Sequence, residues 1–107
     1  MSFGPSTENL LWAIGTATAA GATSLTIALP GGAVGTPRVA KISGTVAAYA
    51  TVNISNTQQV TLTNNPNGPT DTRTLPPKAF PVKTGSVSVT TNLSAAGTVY
   101  VEIGFAP

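Results

Sequence analysis

Apolar and polar residues alternate along most of this chain, and the cleanest run lies between Gly85 and Phe105. Val87 and Val89 alternate with Ser86, Ser88 and Thr90. Beyond a break at Asn92 to Gly97, Val99, Val101, Ile103 and Phe105 alternate with Thr98, Tyr100, Glu102 and Gly104. A period of two in β-branched and aromatic residues, split by a glycine-containing loop, predicts a β-hairpin with one face on a core and one toward water.

The same pattern, taken from the other end, predicts the remaining strands. Residues 1–8 hold Gly4, Pro5 and three hydroxyl side chains and read as an extended arm. Leu10, Trp12 and Ile14 alternate with Asn9, Leu11 and Ala13 as a first strand; the alanines of 17–22 sit between Gly15 and Gly21, too few for a stable helix, and read as a turn. Leu25, Ile27 and Leu29 mark a second strand, stopped by Pro30-Gly31-Gly32. Val34 to Pro37 is a connection. In Arg38 to Ile42, Val39 and Ile42 fall out of phase, which predicts a bulged third strand. Val46, Ala48, Ala50, Val52 and Ile54 share one face of a long fourth strand. The alanines there imply close approach of the opposite sheet or of a large side chain, for which Trp12 or Phe80 is the natural filler.

Val60 and Leu62 form a short fifth strand. Asn64 to Pro77 carries four prolines and little apolar content and is expected to lie on the surface as a functional or mobile loop. Phe80 and Val82 predict a sixth strand, placed at a sheet edge by Pro81. No helical periodicity, repeat or domain boundary interrupts the series. The expectation is an all-β chain of about eight strands, a single antiparallel β-sandwich of jelly-roll or Ig-like type over residues 9–107.

Composition narrows the function. The 107 residues suffice for one core without staples, and no cysteine is present to form a disulfide or thiolate site. Charged residues are 7% of the chain against roughly 25% in an average domain, so solubility falls to the hydroxyls and amides of Thr, Ser and Asn. The net charge of +2 comes from scattered Arg38, Lys41, Arg73, Lys78 and Lys83 against Glu8, Asp71 and Glu102. Nucleic-acid binding asks for clustered basic residues interleaved with aromatics, and this distribution predicts none. Met1 to Pro5 lacks the basic and apolar regions of a signal peptide, and no apolar window reaches membrane-spanning length, so no membrane partner is expected.

Candidate chemistry is thin. Histidine and cysteine, the usual general base and thiol nucleophile, are absent from the composition. Glu102 and Asp71 are the residue types of a glycosidase acid pair, but Glu102 sits on a polar strand face and Asp71 in a polar loop, where solvated carboxylates are ordinary. Lys41 and Ser43 have the types of a Ser/Lys dyad at a spacing that any strand produces. Asp71 alone is a poor start for a hard-cation site. Gly31, Gly32 and Gly35 lack the following helix of a phosphate loop. The Asn53-Ile54-Ser55 and Asn92-Leu93-Ser94 sequons are chance-level in so Asn- and Ser-rich a chain, and Asn92 reads as opening a turn. Neither an enzyme nor a cofactor is expected. Tyr49, Tyr100, Leu11 and Leu93 fall on faces turned from the main core, and aromatic groups amid depleted charge are what subunit contacts favour.

The succession of an N-terminal arm, TSLTIAL ended by PGG, VAAYATVNIS, a Pro-rich loop, and SVSVTTN with TVYVEIGF resembles small virion proteins of tailed bacteriophages. It is similar in particular to capsid decoration (cement) proteins and to head-fibre or tail adaptors. The resemblance implies a non-enzymatic protein on the capsid surface of a virion, made in the host cytoplasm. It would dock as a trimer or dimer on the major capsid protein and clamp neighbouring shell subunits. Its contacts are expected from Phe3 and Pro5 of the arm, from Pro69, Asp71 and Arg73 of the loop, and from Tyr49 and Tyr100. The alternatives are a tail or head-fibre component, or a carbohydrate-binding adhesion module displaying Trp12 or Tyr100.

Overall fold

The computed structural model of the chain describes residues 10–53, 59–67, 72–75 and 83–107. Among them are eight strands: β1 (Leu11–Ala17), β2 (Gly21–Ala28), β3 (Thr36–Gly44), β4 (Ala48–Asn53), β5 (Gln59–Asn64), β6 (Thr72–Thr74), β7 (Ser86–Leu93) and β8 (Val99–Ala106). They form two antiparallel sheets, ordered β1-β8-β3-β6 and β2-β7-β4-β5. The strands pair as nested sets, β1 with β8, β2 with β7, β3 with β6 and β4 with β5. Alternate sets fall in opposite sheets, so the chain is one long hairpin rolled up, which is the jelly-roll rather than the Ig-like form of a sandwich.

This topology corrects the expected C-terminal hairpin. β7 and β8 have the predicted alternation, yet β7 lies between β2 and β4 in one sheet and β8 between β1 and β3 in the other. Residues 94–98 step across the sandwich and are tied to both sides: the Ser94 N–H donates to Ala47 O at 2.9 Å and the Gly97 N–H to Thr18 O at 3.1 Å. Alternation records which face a residue takes and is silent about the neighbouring strand. β7 also runs through Asn92 to Leu93, so Asn92 is a strand residue and not the start of a turn, and Leu93 is buried in the core and not on an outer face.

The core lies between the sheets and draws mainly on their interior strands, with Val87, Val89 and Leu93 from β7 and Val99, Val101, Ile103 and Phe105 from β8. Ala48, Ala50 and Val52 of β4 face inward as their alternation predicts. β3 has a register shift against β8 between Pro37 and Val39, ahead of the Val39–Ile42 stretch where the bulge was expected; from Val39 to Ile42 the pairing is regular, with Val39 outward and Ala40 and Ile42 facing the core.

β1 inverts the expected phase. Ala13 and Ala17 are buried while Trp12 and Ile14 point outward, so Trp12 does not fill the space beside the β4 alanines. Phe80 lies outside the described residues. Among the described aromatics Phe105 is the fully buried one. A close approach accompanies the inversion: a Cβ on Gly15 would stand 2.9 Å from Ile27 Cγ1 of the facing sheet, and the flanking inward residues Ala13 and Ala17 are small.

The segment 64–77 is not wholly a surface loop. Thr72–Thr74 is an edge strand on β3, and Leu75 is 1% exposed, its N–H donating to Arg38 O at 2.8 Å. At the start of the segment Asn64 still belongs to β5 and is likewise buried. The expected strand at Phe80 and Val82 falls outside the described residues, as do the arm 1–8, Pro69 and Asp71.

Candidate contact surface

The outer face of the β1-β8-β3-β6 sheet carries the chain's main exposed apolar groups. Register sets Trp12, Gly104 and Val39 in one row, Ile14, Glu102 and Lys41 in the next, and Thr16, Tyr100 and Ser43 in the third. Trp12 and Tyr100 are each 40% exposed and Ile14 is 59% exposed. On this outer face no second sheet limits their size. The inward neighbours on β1, Ala13 and Ala17, are small because the other sheet does.

Trp12 lies across β8 instead of standing upright. A Cβ placed on Gly104 would meet Leu10 Cδ1 at 2.9 Å and Trp12 Cη2 at 3.0 Å, so the indole rests on the bare glycine. Beyond it the Lys41 ammonium sits 4.6 Å from the ring centroid, a cation–π contact of about 0.5–1 kcal/mol at an exposed site. The stack therefore carries its positive charge over the indole itself. Gly104→Ala is expected to lift the indole off β8, with a red-shifted tryptophan emission and a loss of about 1 kcal/mol in urea unfolding.

The opposite face, on the β2-β7-β4-β5 sheet, has another character. Its rows are Ala22, Asn92, Tyr49 and Thr63; Ser24, Thr90, Thr51 and Thr61; and Thr26, Ser88, Asn53 and Gln59. These rows hold no charged residue. Their polar groups bond across strands: Gln59 Nε2 donates to Asn53 Oδ1 at 2.9 Å, Asn53 Nδ2 donates to Thr90 Oγ1 at 3.4 Å, and the Thr51 and Thr61 hydroxyls are 3.4 Å apart. Tyr49 stands out of this carpet at 58% exposure.

The two tyrosines singled out by alternation are thus both outside the core, as expected, but on opposite faces, so they do not form one contact surface. Arg73 is in β6, at the edge of the Trp12 sheet. Phe3, Pro5, Pro69 and Asp71 lie outside the described residues. Compared with known proteins, the chain matches no described family, no curated protein and no solved structure.

The groups weighed for catalysis find ordinary surroundings. Lys41 is on the Trp12 ring, and Ser43 is beside Tyr100. Glu102 stands between Ile14 and Lys41, a cross-strand charge pair of the kind that contributes a few tenths of a kcal/mol. Pro30–Gly32 is a single tight turn, with Gly31 and Gly32 at φ of 65° and 72°, where a side chain would be strained. Among the described residues no group of three or more Asp, Glu, His or Cys could hold a metal ion. Missing from the sequence reading was the Trp12 platform itself. Its one signal was Gly104, a residue without a side chain in the middle of the strongest strand pattern.

Proposed function

We propose that the protein is a non-enzymatic structural component of a tailed-phage virion, a capsid cement protein that docks on the major capsid protein and stabilises the shell. The observation that supports this reading is the set of exposed apolar groups Trp12, Ile14 and Tyr100 on one sheet face, with Glu102 and Lys41 in the row between the two aromatics, on a chain with 7% charged residues. Exposed aromatics are the residues that anchor interfaces, and one charge of each sign among them gives a docking partner polar groups to match. A rigid two-sheet body suits repeated docking on identical lattice sites, with a dimer or trimer placing several copies of the patch together. Jelly rolls recur in viral capsid domains and also in lectins, a fold-level analogy that agrees with the reading without carrying it.

Co-sedimentation with purified shells lacking the protein tests it. The wild type is expected to bind at a fixed ratio to the major shell protein, and the double variant Trp12→Ser, Tyr100→Ala to lose at least tenfold in affinity with its melting temperature nearly unchanged. Binding by a folded double variant at full stoichiometry would discard the platform. Binding to purified tails and not to shells would assign the protein to the tail instead.

A further inference from the structure

At one end of the uncharged sheet, where β4 begins and β5 and β7 finish, a cavity of about 240 Å³ opens to solvent. Tyr49, Thr63, Asn92 and Ser94 line it together with Asn64 and the small Ala47. Its wall is set by register, since Asn92 pairs with Tyr49 and Tyr49 with Thr63, and by the Ser94 N–H bond to Ala47 O that pins the start of the 94–98 crossing against the sheet. The site is part of the rigid framework.

Asn64 holds the inner wall of this corner in place. Its Nδ2 donates to Gly44 O at 3.2 Å and to Val46 O at 2.7 Å, which uses both amide hydrogens and fixes which way the amide points. The Oδ1 is therefore held as an acceptor; it is buried and has no protein partner among the described residues, in a side chain 1% exposed. An unpaired buried acceptor is costly, and this one is closed to solvent on the inward face of β5, so Asn64 shapes the wall of the cavity and does not offer it a binding group.

From these features we infer that the cavity is a binding site for a single neutral pyranose, the terminal sugar of a glycan. No Lys, Arg, Asp or Glu lines the wall, so a charged ligand would lose its hydration without gaining a counter-charge. A purely apolar ligand would strand the Asn92 and Ser94 polar groups. A sugar ring answers both conditions: its hydroxyls can donate to and accept from amides and hydroxyls, and its C–H face can lie on the exposed Tyr49 ring. The volume holds one such ring. The site faces away from the Trp12 platform, so a copy docked through that platform would present the cavity outward. The inference rests on the cavity alone and holds or fails independently of the shell-docking reading.

The test is an amide-resolved NMR titration of the full chain with the methyl pyranosides of glucose, galactose, mannose and N-acetylglucosamine, each to about 100 mM, which reaches past the millimolar affinity of a single ring. Saturable shifts are expected for one of them, centred on Tyr49, Thr63, Asn92 and Ser94. Tyr49→Ala should weaken binding at least tenfold, Tyr49→Phe less than about threefold because the ring face is kept, and Trp12→Ala not at all. Tyr49 is exposed, so its variants fold and the comparison stays readable. Absence of saturable shifts with all four sugars overturns the inference. So does a folded Tyr49→Ala protein that binds like the wild type, or a set of shifts centred on Trp12 and Tyr100.

Discussion

Replacing Val101 with Asp is expected to abolish the folded state. Val101 is 0% exposed on β8, the strand that joins β1 to β3, with Gly15 and Ile42 as its register partners on either side. An aspartate there must either bury a charge without a partner or take up a proton and still bury an unpaired carboxyl. Either cost is several kcal/mol, set against a total of about 5–15 kcal/mol for a domain of this kind. The neighbouring change Tyr100→Ala, on the outer face, should shift the melting temperature by only a few degrees. Circular dichroism and thermal melting of the two variants decide the matter. Equal unfolding by both would mean that the inner and outer faces of β8 are misassigned.

The second large effect is expected from Phe105→Ala, at about 3–5 kcal/mol. Phe105 heads the fully buried side chains by size and pairs in register with Leu11 and Pro37. The upper part of that range applies because the neighbourhood has little room to collapse. A Cβ on Gly35 would already stand 2.8 Å from Ala106 O and 2.9 Å from Phe105 Cβ, so the backbone there is at contact distance. The Gly35 N–H and Thr84 O are bonded at 3.0 Å, and the reverse bond is 2.8 Å, which holds that backbone in place. The hole left by the ring therefore stays open. At roughly 4 °C per kcal/mol the melting temperature should fall by about 12–20 °C. A loss under about 1 kcal/mol in denaturant unfolding would show that the two sheets can close over the gap.

Alternation alone was enough to read the faces of β2, β4, β5, β7 and β8, and with them the outward placement of Tyr49 and Tyr100. The bulge in β3 was not legible in its place: Val39 and Ile42 are out of phase because they lie on opposite faces of a regular stretch, and the irregularity precedes Val39. What alternation could not supply was partnership. Ser86 to Leu93 and Val99 to Ala106 look like two arms of a hairpin because a short glycine-containing loop joins them, and nothing local distinguishes that loop from one that crosses the sandwich. β1 was misread for a different reason. Its large residues are at 12 and 14, but the space between the sheets at Gly15 is already filled by Ile27, a contact between residues twelve apart that no single-strand pattern records. β6 is too short for a period to show. Of the cavity, Tyr49 was legible as exposed, whereas Asn64 read as the first residue of a polar loop and its buried role depends on the carbonyls of Gly44 and Val46.

The nested pairing has a consequence for how the chain is made. Among the described residues β1 has only β8 as a strand partner and β2 only β7. Translation delivers residues 11–28 first and their partners, 86–106, last. At cellular elongation rates the interval is on the order of ten seconds. For that time two strands without a single charged residue or proline, Leu11–Ala17 and Gly21–Ala28, travel with their backbone groups unpaired. Codon choice and chaperone access over residues 29–85 should therefore affect soluble yield.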